Sequence, residues 1–269
     1  MHLATDMHGS FGGGDISSIL PDEVEVTIGI LALQGAFIEH EHALQRLFMA
    51  PSFLRQRKGI NWKFSTVQVR STEDLERCSA LIIPGGESTT IALLLRLSSL
   101  LEPLRAFSAT KPIWGTCAGA ILLAKEIANP KKGGQEVLGQ VSVRIERNGW
   151  GSQVESFEAP LEVPKLRNPD EPFTGVFIRA PVILSLLDDK DAPIEEIARI
   201  PEDLLPAESC DTNTNKEDRH AQALVALRQG NHFLTTFHPE LTEDDRFHEF
   251  FVVECVLDYV LKARGKQRL

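Results

Sequence analysis

Residues 111–127 read KPIWGTCAGAILLAKEI, and this stretch decides the fold. A short apolar run ends at Gly115, the turn Thr116-Cys117-Ala118-Gly119 follows, and a second apolar run rich in helix formers comes after it. The order predicts a buried strand over 111–115 and a helix over 116–127. G-x-C-x-G in that setting is the cysteine form of a nucleophile elbow. Its glycines permit a tight turn, and the turn presents Cys117 at the carboxyl end of the sheet, where open α/β folds place their sites. The helix points its positive end at the sulfur. The N–H groups just beyond it, beginning at Ala118, are placed to hold a developing oxyanion. Taken alone, a glycine-flanked cysteine is equally a buried structural residue; the strand before it and the helix after it favour the chemical reading.

The same unit recurs on both sides. VEVTIGILAL (24–33) is short, β-branched and apolar, as a buried parallel strand should be. Gln34-Gly35 breaks it, and AFIEHEHALQRLF (36–48) follows with Phe37, Ala43, Leu44 and Leu47 at helical spacing. Further units are a strand over 64–69 with a polar helix over 72–77, then a strand over 80–84 (ALIIP) followed by Gly85-Gly86-Glu87-Ser88 and one apolar helix from 89 to 107. Repeated strand–turn–helix units predict a single open, mostly parallel α/β sheet with helices on both faces. From about residue 137 the sequence alternates as in a small antiparallel extension, and strands are expected over 173–178, 223–227 and 232–237, with a closing helix over 247–264. Residues 1–24 read as a poorly ordered lead-in to a domain over 25–265. Stretches near 50–61, 129–135 and 207–222 read as inserted surface loops.

Composition restricts the function. The formal net charge of −10 disfavours nucleic acid and anionic membrane as partners. No apolar run approaches the ~20 residues of a membrane span, and Asp6 and Asp15 stand where a signal peptide would be basic or apolar. Cys78, Cys117, Cys210 and Cys255 are widely spaced, which suits reduced thiols in the cytosol rather than a disulfide framework. No Cys/His cluster has metal-ligand spacing, so neither a metal nor another cofactor is expected.

A thiol nucleophile needs a base. Among eight histidines, His40 and His42 read as helix residues, His220 as part of a polar loop and His248 as part of the last helix. His238 follows the apolar FLTTF and opens His238-Pro239-Glu240. In an extended segment, residues two apart point the same way, so Glu240 is expected beside His238 as its orienting partner. Pro84-Gly85-Gly86-Glu87-Ser88 lacks the spacing of a phosphate-binding loop, and its backbone N–H groups are candidates for the other half of an oxyanion hole.

Together these segments resemble the class I, triad-type glutamine amidotransferases, and within them the glutaminase subunit of pyridoxal 5′-phosphate synthase. The resemblance rests on LALQGAFIEHEHAL (31–44), LIIPGGESTTI (81–91), WGTCAGAILLAKEI (114–127), VRIERNGWGSQVESFEAPL (143–161), EPFTGVFIRAPVI (171–183) and FHPELTEDDRFHEFFV (237–252). It implies a flavodoxin-like glutaminase fold in which Cys117 is the nucleophile, His238 the general base and Glu240 its partner. It places L-glutamine against Gly86, Glu87, Ser88, Arg147, Ile178 and Arg179, and assigns Gln34, Gly85 and Ala118 to the oxyanion region or the partner contact. Without it, Arg147 and Arg179 read as ordinary salt-bridge residues. Trp114 and Asn148-Gly149-Trp150 depart from the family's usual residues. The implied activity is hydrolysis of glutamine to glutamate and ammonia through a cysteine thioester. The ammonia passes to a (β/α)8-barrel synthase partner for vitamin B6 synthesis, and glutaminase activity is weak until that partner docks. Two alternatives stand beside this: a catalytically silent regulatory subunit of the same complex, and another elbow-cysteine α/β hydrolase or stress protein.

Overall fold

The computed structural model describes residues 23–55, 60–130, 134–150, 156–189, 192–205 and 216–267. The expected lead-in lies outside these residues except for Glu23 and Val24, which already belong to the first strand.

In chain order the first half contains β1 (Glu23–Leu31), α1 (Phe37–Met49), α2 (Pro51–Arg55), β2 (Asn61–Val69), α3 (Thr72–Glu76), β3 (Ala80–Ile83), α4 (Ser88–Leu97), α5 (Leu101–Ser108), β4 (Ile113–Thr116) and α6 (Ala118–Leu123). The second half contains β5 (Ala124–Ile127), β6 (Val141–Glu146), β7 (Ser156–Leu161), β8 (Phe173–Ile178), β9 (Val182–Leu186), β10 (Ile194–Arg199), α7 (Lys216–Ala223), β11 (Leu224–Gln229), β12 (His232–Thr235), α8 (Arg246–Phe250) and α9 (Asp258–Gln267), the last two joined by a π-helical stretch over Phe251–Leu257.

The main sheet runs β10-β11-β12-β4-β3-β1-β2. Its pairings from β2 through β12 are parallel, whereas β11 is antiparallel to both its neighbours. Read from β2, the parallel part has the flavodoxin-like order, with the direction of winding reversed between β1 and β3. Alternation along the strands sends side chains to two cores. Val26, Ile28, Ile82, Trp114 and Phe233 face α1 and the closing helix, while Leu81, Ile83, Ile113 and Leu234 face α4, α5 and α6. Both faces of the sheet are therefore covered, which explains why its strands read as continuous apolar runs. Local signals agree with these elements. Ser71 caps α3, its hydroxyl accepting from Asp74 N–H at 3.3 Å while the Asp74 carboxylate accepts from Ser71 N–H at 3.1 Å.

Several expectations are corrected. The helix of the elbow ends at Leu123, and residues 124–127 form β5, which pairs in parallel with β6. The extension is thus a three-stranded mixed sheet, β5-β6-β9, plus a separate antiparallel hairpin, β7-β8. The single helix expected over 89–107 is two helices, broken where Ser99 takes a left-handed conformation, φ 59°. The stretch near 50–61 is not simply a surface loop. Pro51–Arg55 is helical, Phe53 is buried against Phe48 and Phe64, and Asn61 opens β2; 56–59 lie outside the described residues. Of 207–222, residues 207–215 lie outside the described residues, and 216–222 belong to α7, with Ala221 and Gln222 buried. Of 129–135, residues 131–133 lie outside the described residues, and Gln135 reaches the pocket described next.

Candidate active site

The elbow lies at the carboxyl end of β4. Cys117 has φ 48° and ψ −100°, a strained backbone for a residue with a side chain. Such strain persists only where the surroundings fix it. Cys117 N–H donates to Thr235 O at 2.9 Å, tying the elbow to β12. At Gly119 a Cβ would lie 2.0 Å from Ile83 O, so only glycine lets α6 start this close to β3. The outcome is a cysteine at the floor of a cavity of about 380 Å³, a size at the small end of small-molecule pockets.

The tie to β12 also sets the position of His238, three residues beyond Thr235. His238 N–H donates to Val176 O in β8 at 2.8 Å, and the imidazole Nδ1 lies 2.7 Å from Glu240 Oε1. The pairing of His238 with Glu240 is present, but not through an extended segment: Pro239–Leu241 is a 3-10 turn that folds the carboxylate back beneath the ring. Burial pulls the His238 pKa down, yet hydrogen bonds to Cys117 and Glu240 more than offset it and hold the imidazolium up to about 10. Burial also opposes ionisation of Glu240, but the neighbouring His40 and His238 keep its carboxyl below the usual range. Gly85 packs against the pair; a Cβ there would stand 2.3 Å from His238 Cε1 and 3.4 Å from Cys117 Cβ.

Gly86, Glu87, Ser88, Cys117, Ala118, Arg147, Ile178, Arg179 and His238 all line the one cavity, together with Asn129, Glu146 and Asn148. The remaining candidates stand behind it. Glu240 is buried below His238; Gln34 lies outside the wall, its Oε1 accepting from Glu87 N–H at 2.9 Å; the Gly85 carbonyl accepts from Ala36 N–H at 3.0 Å. Arg179 and Glu87 form an exposed ion pair at 3.5 Å across the mouth. Gln135 Oε1 accepts from Ser88 Oγ at 3.3 Å and from Arg147 Nη1 at 3.4 Å, so a residue assigned to a surface loop touches two pocket residues. Cys78 and Cys255 are buried thiols whose pKa values burial pushes up to about 12, and Cys210 lies outside the described residues. Among the described residues, no three His, Cys, Asp or Glu side chains are placed to share a metal ion. No helix among them is long and apolar enough to cross a membrane.

Sequence reasoning missed a buried group behind the triad. His40 and His248 are fully buried, with His40 Nδ1 3.0 Å from His248 Nε2 and His40 Nε2 3.1 Å from Thr116 Oγ1. One signal was available: His40 shares the helical spacing of Ala43, Leu44 and Leu47, all buried in α1. Trp114 packs on both imidazoles and donates from Nε1 to Thr235 Oγ1 at 3.1 Å.

A doubly wound sheet carrying a cysteine elbow opposite an imidazole–carboxylate pair defines a class of α/β protein suited to acyl transfer through a thioester. The chain belongs to the SNO glutamine amidotransferase family, whose model matches residues 30–257. It is 46% identical over 228 residues to the pyridoxal 5′-phosphate synthase subunit PdxT of Herpetosiphon aurantiacus, covering 84% of this chain and 99% of that protein. It is 41% identical over 235 residues to a probable pyridoxal 5′-phosphate synthase subunit PDX2 of Arabidopsis thaliana, covering 84% and 85%. A crystal structure of a glutamine amidotransferase aligns with a TM-score of 0.61 at 40% identity, covering 87% of this chain and 98% of that one. The fold and family expected from the motifs are those found.

Proposed function

We propose that this chain hydrolyses L-glutamine to L-glutamate and ammonia and delivers the ammonia to a pyridoxal 5′-phosphate synthase subunit with a (β/α)8 barrel, acting in the cytosol. The observation that carries the reading is the convergence of Cys117 and His238, the latter backed by Glu240, at one cavity also lined by Glu87, Arg147 and Arg179. Family membership and the names of the relatives support it.

In this reading His238 takes the Cys117 proton, and the thiolate attacks the side-chain amide carbon of glutamine. The carbonyl oxygen becomes an oxyanion beside the Gly86 and Ala118 backbone. His238 returns the proton to the departing nitrogen, the C–N bond breaks, and ammonia leaves. Water, deprotonated by His238, then cleaves the γ-glutamyl thioester, releasing glutamate and restoring the thiol. Glu240 holds the ring orientation and stabilises the imidazolium throughout. Arg147 and Arg179 suit the substrate α-carboxylate, and Glu87 its α-ammonium. Bound glutamine would then replace the Arg179–Glu87 and Arg147–Gln135 contacts of the free chain.

Free ammonia is mostly protonated at neutral pH, so direct delivery to a partner preserves its nucleophilicity. The test is glutamate release from glutamine by the chain mixed with a barrel synthase subunit. Turnover in the wild type, its loss in Cys117→Ala and its stimulation by the synthase are expected. No turnover with the synthase present, or full turnover in Cys117→Ala, would overturn the reading.

A further inference from the structure

Glu240 is a buried carboxylate with only one oxygen used by His238. Its other oxygen, Oε2, is buried and has no hydrogen-bond partner among the described residues. His40 Nε2 stands 3.5 Å from it, and both side chains are completely buried. An ionised carboxylate facing that nitrogen requires it to carry hydrogen, because two opposed lone pairs would repel. His40 Nε2–H then points between Glu240 Oε2 and Thr116 Oγ1, the residue before the nucleophile. With hydrogen on Nε2, His40 Nδ1 is an acceptor, and His248 Nε2–H must donate across their 3.0 Å contact. That leaves His248 Nδ1 as a bare acceptor, and among the described residues it is buried without a partner. An orphaned lone pair costs less than an orphaned N–H, so the whole chain of tautomers is consistent. Both rings stay neutral, since burial pushes each down to about 3.

We propose that His40 and His248 form a positioning pair that holds Glu240, and through it His238, in line with Cys117. The inference rests on the roles proposed above for those three residues. His40 joins α1, the elbow at Thr116 and the turn bearing Glu240, and His248, from α8, fixes its tautomer. The charged and titratable groups facing this chain are His238 and Glu240 on one side and Arg46 beyond His248; Arg46 is itself paired with Asp245 at 2.7 Å. Removing the His40 donor leaves the Glu240 carboxylate less well stabilised, which weakens its support of the imidazolium and hence of the thiolate–imidazolium pair.

The test compares His40→Gln with His40→Asn. The Gln amide nitrogen reaches the Nε2 position and keeps the donor toward Glu240, whereas Asn reaches only the Nδ1 position facing His248. The readouts are glutamine turnover with synthase and the pH dependence of iodoacetamide alkylation at Cys117, located by peptide mapping. His40→Asn is expected to lose about tenfold in alkylation rate near neutral pH, with the acid limb moved up by about one pH unit, the equivalent of one lost charge-assisted hydrogen bond. Its kcat should fall while KM for glutamine holds, and His40→Gln should stay within about twofold of wild type on every readout. His248→Leu, which cannot donate to His40, should behave like His40→Asn, and His248→Gln like wild type. A wild-type pH profile in His40→Asn, or Gln and Asn variants falling together, overturns the proposal. Full turnover in Cys117→Ala would instead indict the proposed catalytic roles.

Discussion

Replacing Glu240 by Gln removes the charge beneath His238 while keeping the shape of the side chain, and the consequence can be worked from the site. His238 titrates near 10 rather than 6.5 because its hydrogen bonds to Cys117 and Glu240 outweigh the burial that opposes its charge. At about 1.4 kcal/mol per pH unit, that difference is about 5 kcal/mol in favour of the imidazolium. Glu240 is one of two partners, so neutralising it removes on the order of 2 kcal/mol and lowers the pH at which the imidazole titrates. The effect on stability has a definite window. The folded-state pKa of His238 lies above its unfolded value, so its contribution is complete below pH 6.5 and fades as pH rises through about 10. Glu240 moves the other way, and its contribution is present above 4.5 and lost as pH falls through its lowered folded value. The stability difference between wild type and Glu240→Gln should therefore be greatest between pH 4.5 and 6.5 and shrink toward pH 10. Urea denaturation at the two ends of that range, with an NMR titration of the His238 ring, measures both quantities. An unchanged His238 titration in the variant, or a stability difference that does not shrink with rising pH, would refute the reasoning.

Three further outcomes are expected. Gly119→Ala drives a Cβ to 2.0 Å from Ile83 O, and the backbone shift this forces should cost about 1–3 kcal/mol in urea denaturation and most of the turnover. Phe53→Ala should lose about 3–5 kcal/mol on unfolding, because Phe53 is core despite its place in an apparent insertion; a loss below ~0.5 kcal/mol, typical of a surface site, would contradict that placement. Arg147→Leu should raise KM for glutamine by about tenfold or more with a smaller change in kcat, as expected when a carboxylate loses a charge-assisted partner. Steady-state kinetics with synthase present decides this, and an unchanged KM would remove Arg147 from the substrate contact.

Much of the fold was legible because its strands are buried on both faces and its turns are marked by glycine. 24–33, 80–84 and 111–115 are short apolar runs, each ending at or just before a glycine turn, and β1, β3 and β4 lie within a few residues of those bounds. The candidate pocket was legible for a related reason: Cys117, the Gly85-Gly86 loop, Arg147, Arg179 and His238 stand in or beside turns at element ends, where side chains and backbone groups are free to converge. What was not legible depends on contacts distant in sequence. AKEI at 124–127 reads as helix by propensity and becomes β5 because β6 offers it a partner. Ser99 breaks the long helix by adopting a conformation with no glycine to announce it. Phe53 is buried by Phe48 and Phe64 from neighbouring elements. His40 and His248 lie 208 residues apart, and nothing near either one in the sequence shows that they meet behind Glu240.

The most direct measurement is rapid acid quenching of the chain with glutamine and synthase, followed by mass spectrometry of the peptide bearing Cys117. A γ-glutamyl adduct on Cys117 that forms and decays at the rate of turnover is the predicted result. Turnover with no adduct on that sulfur, or an adduct carried by a different residue, would contradict the account.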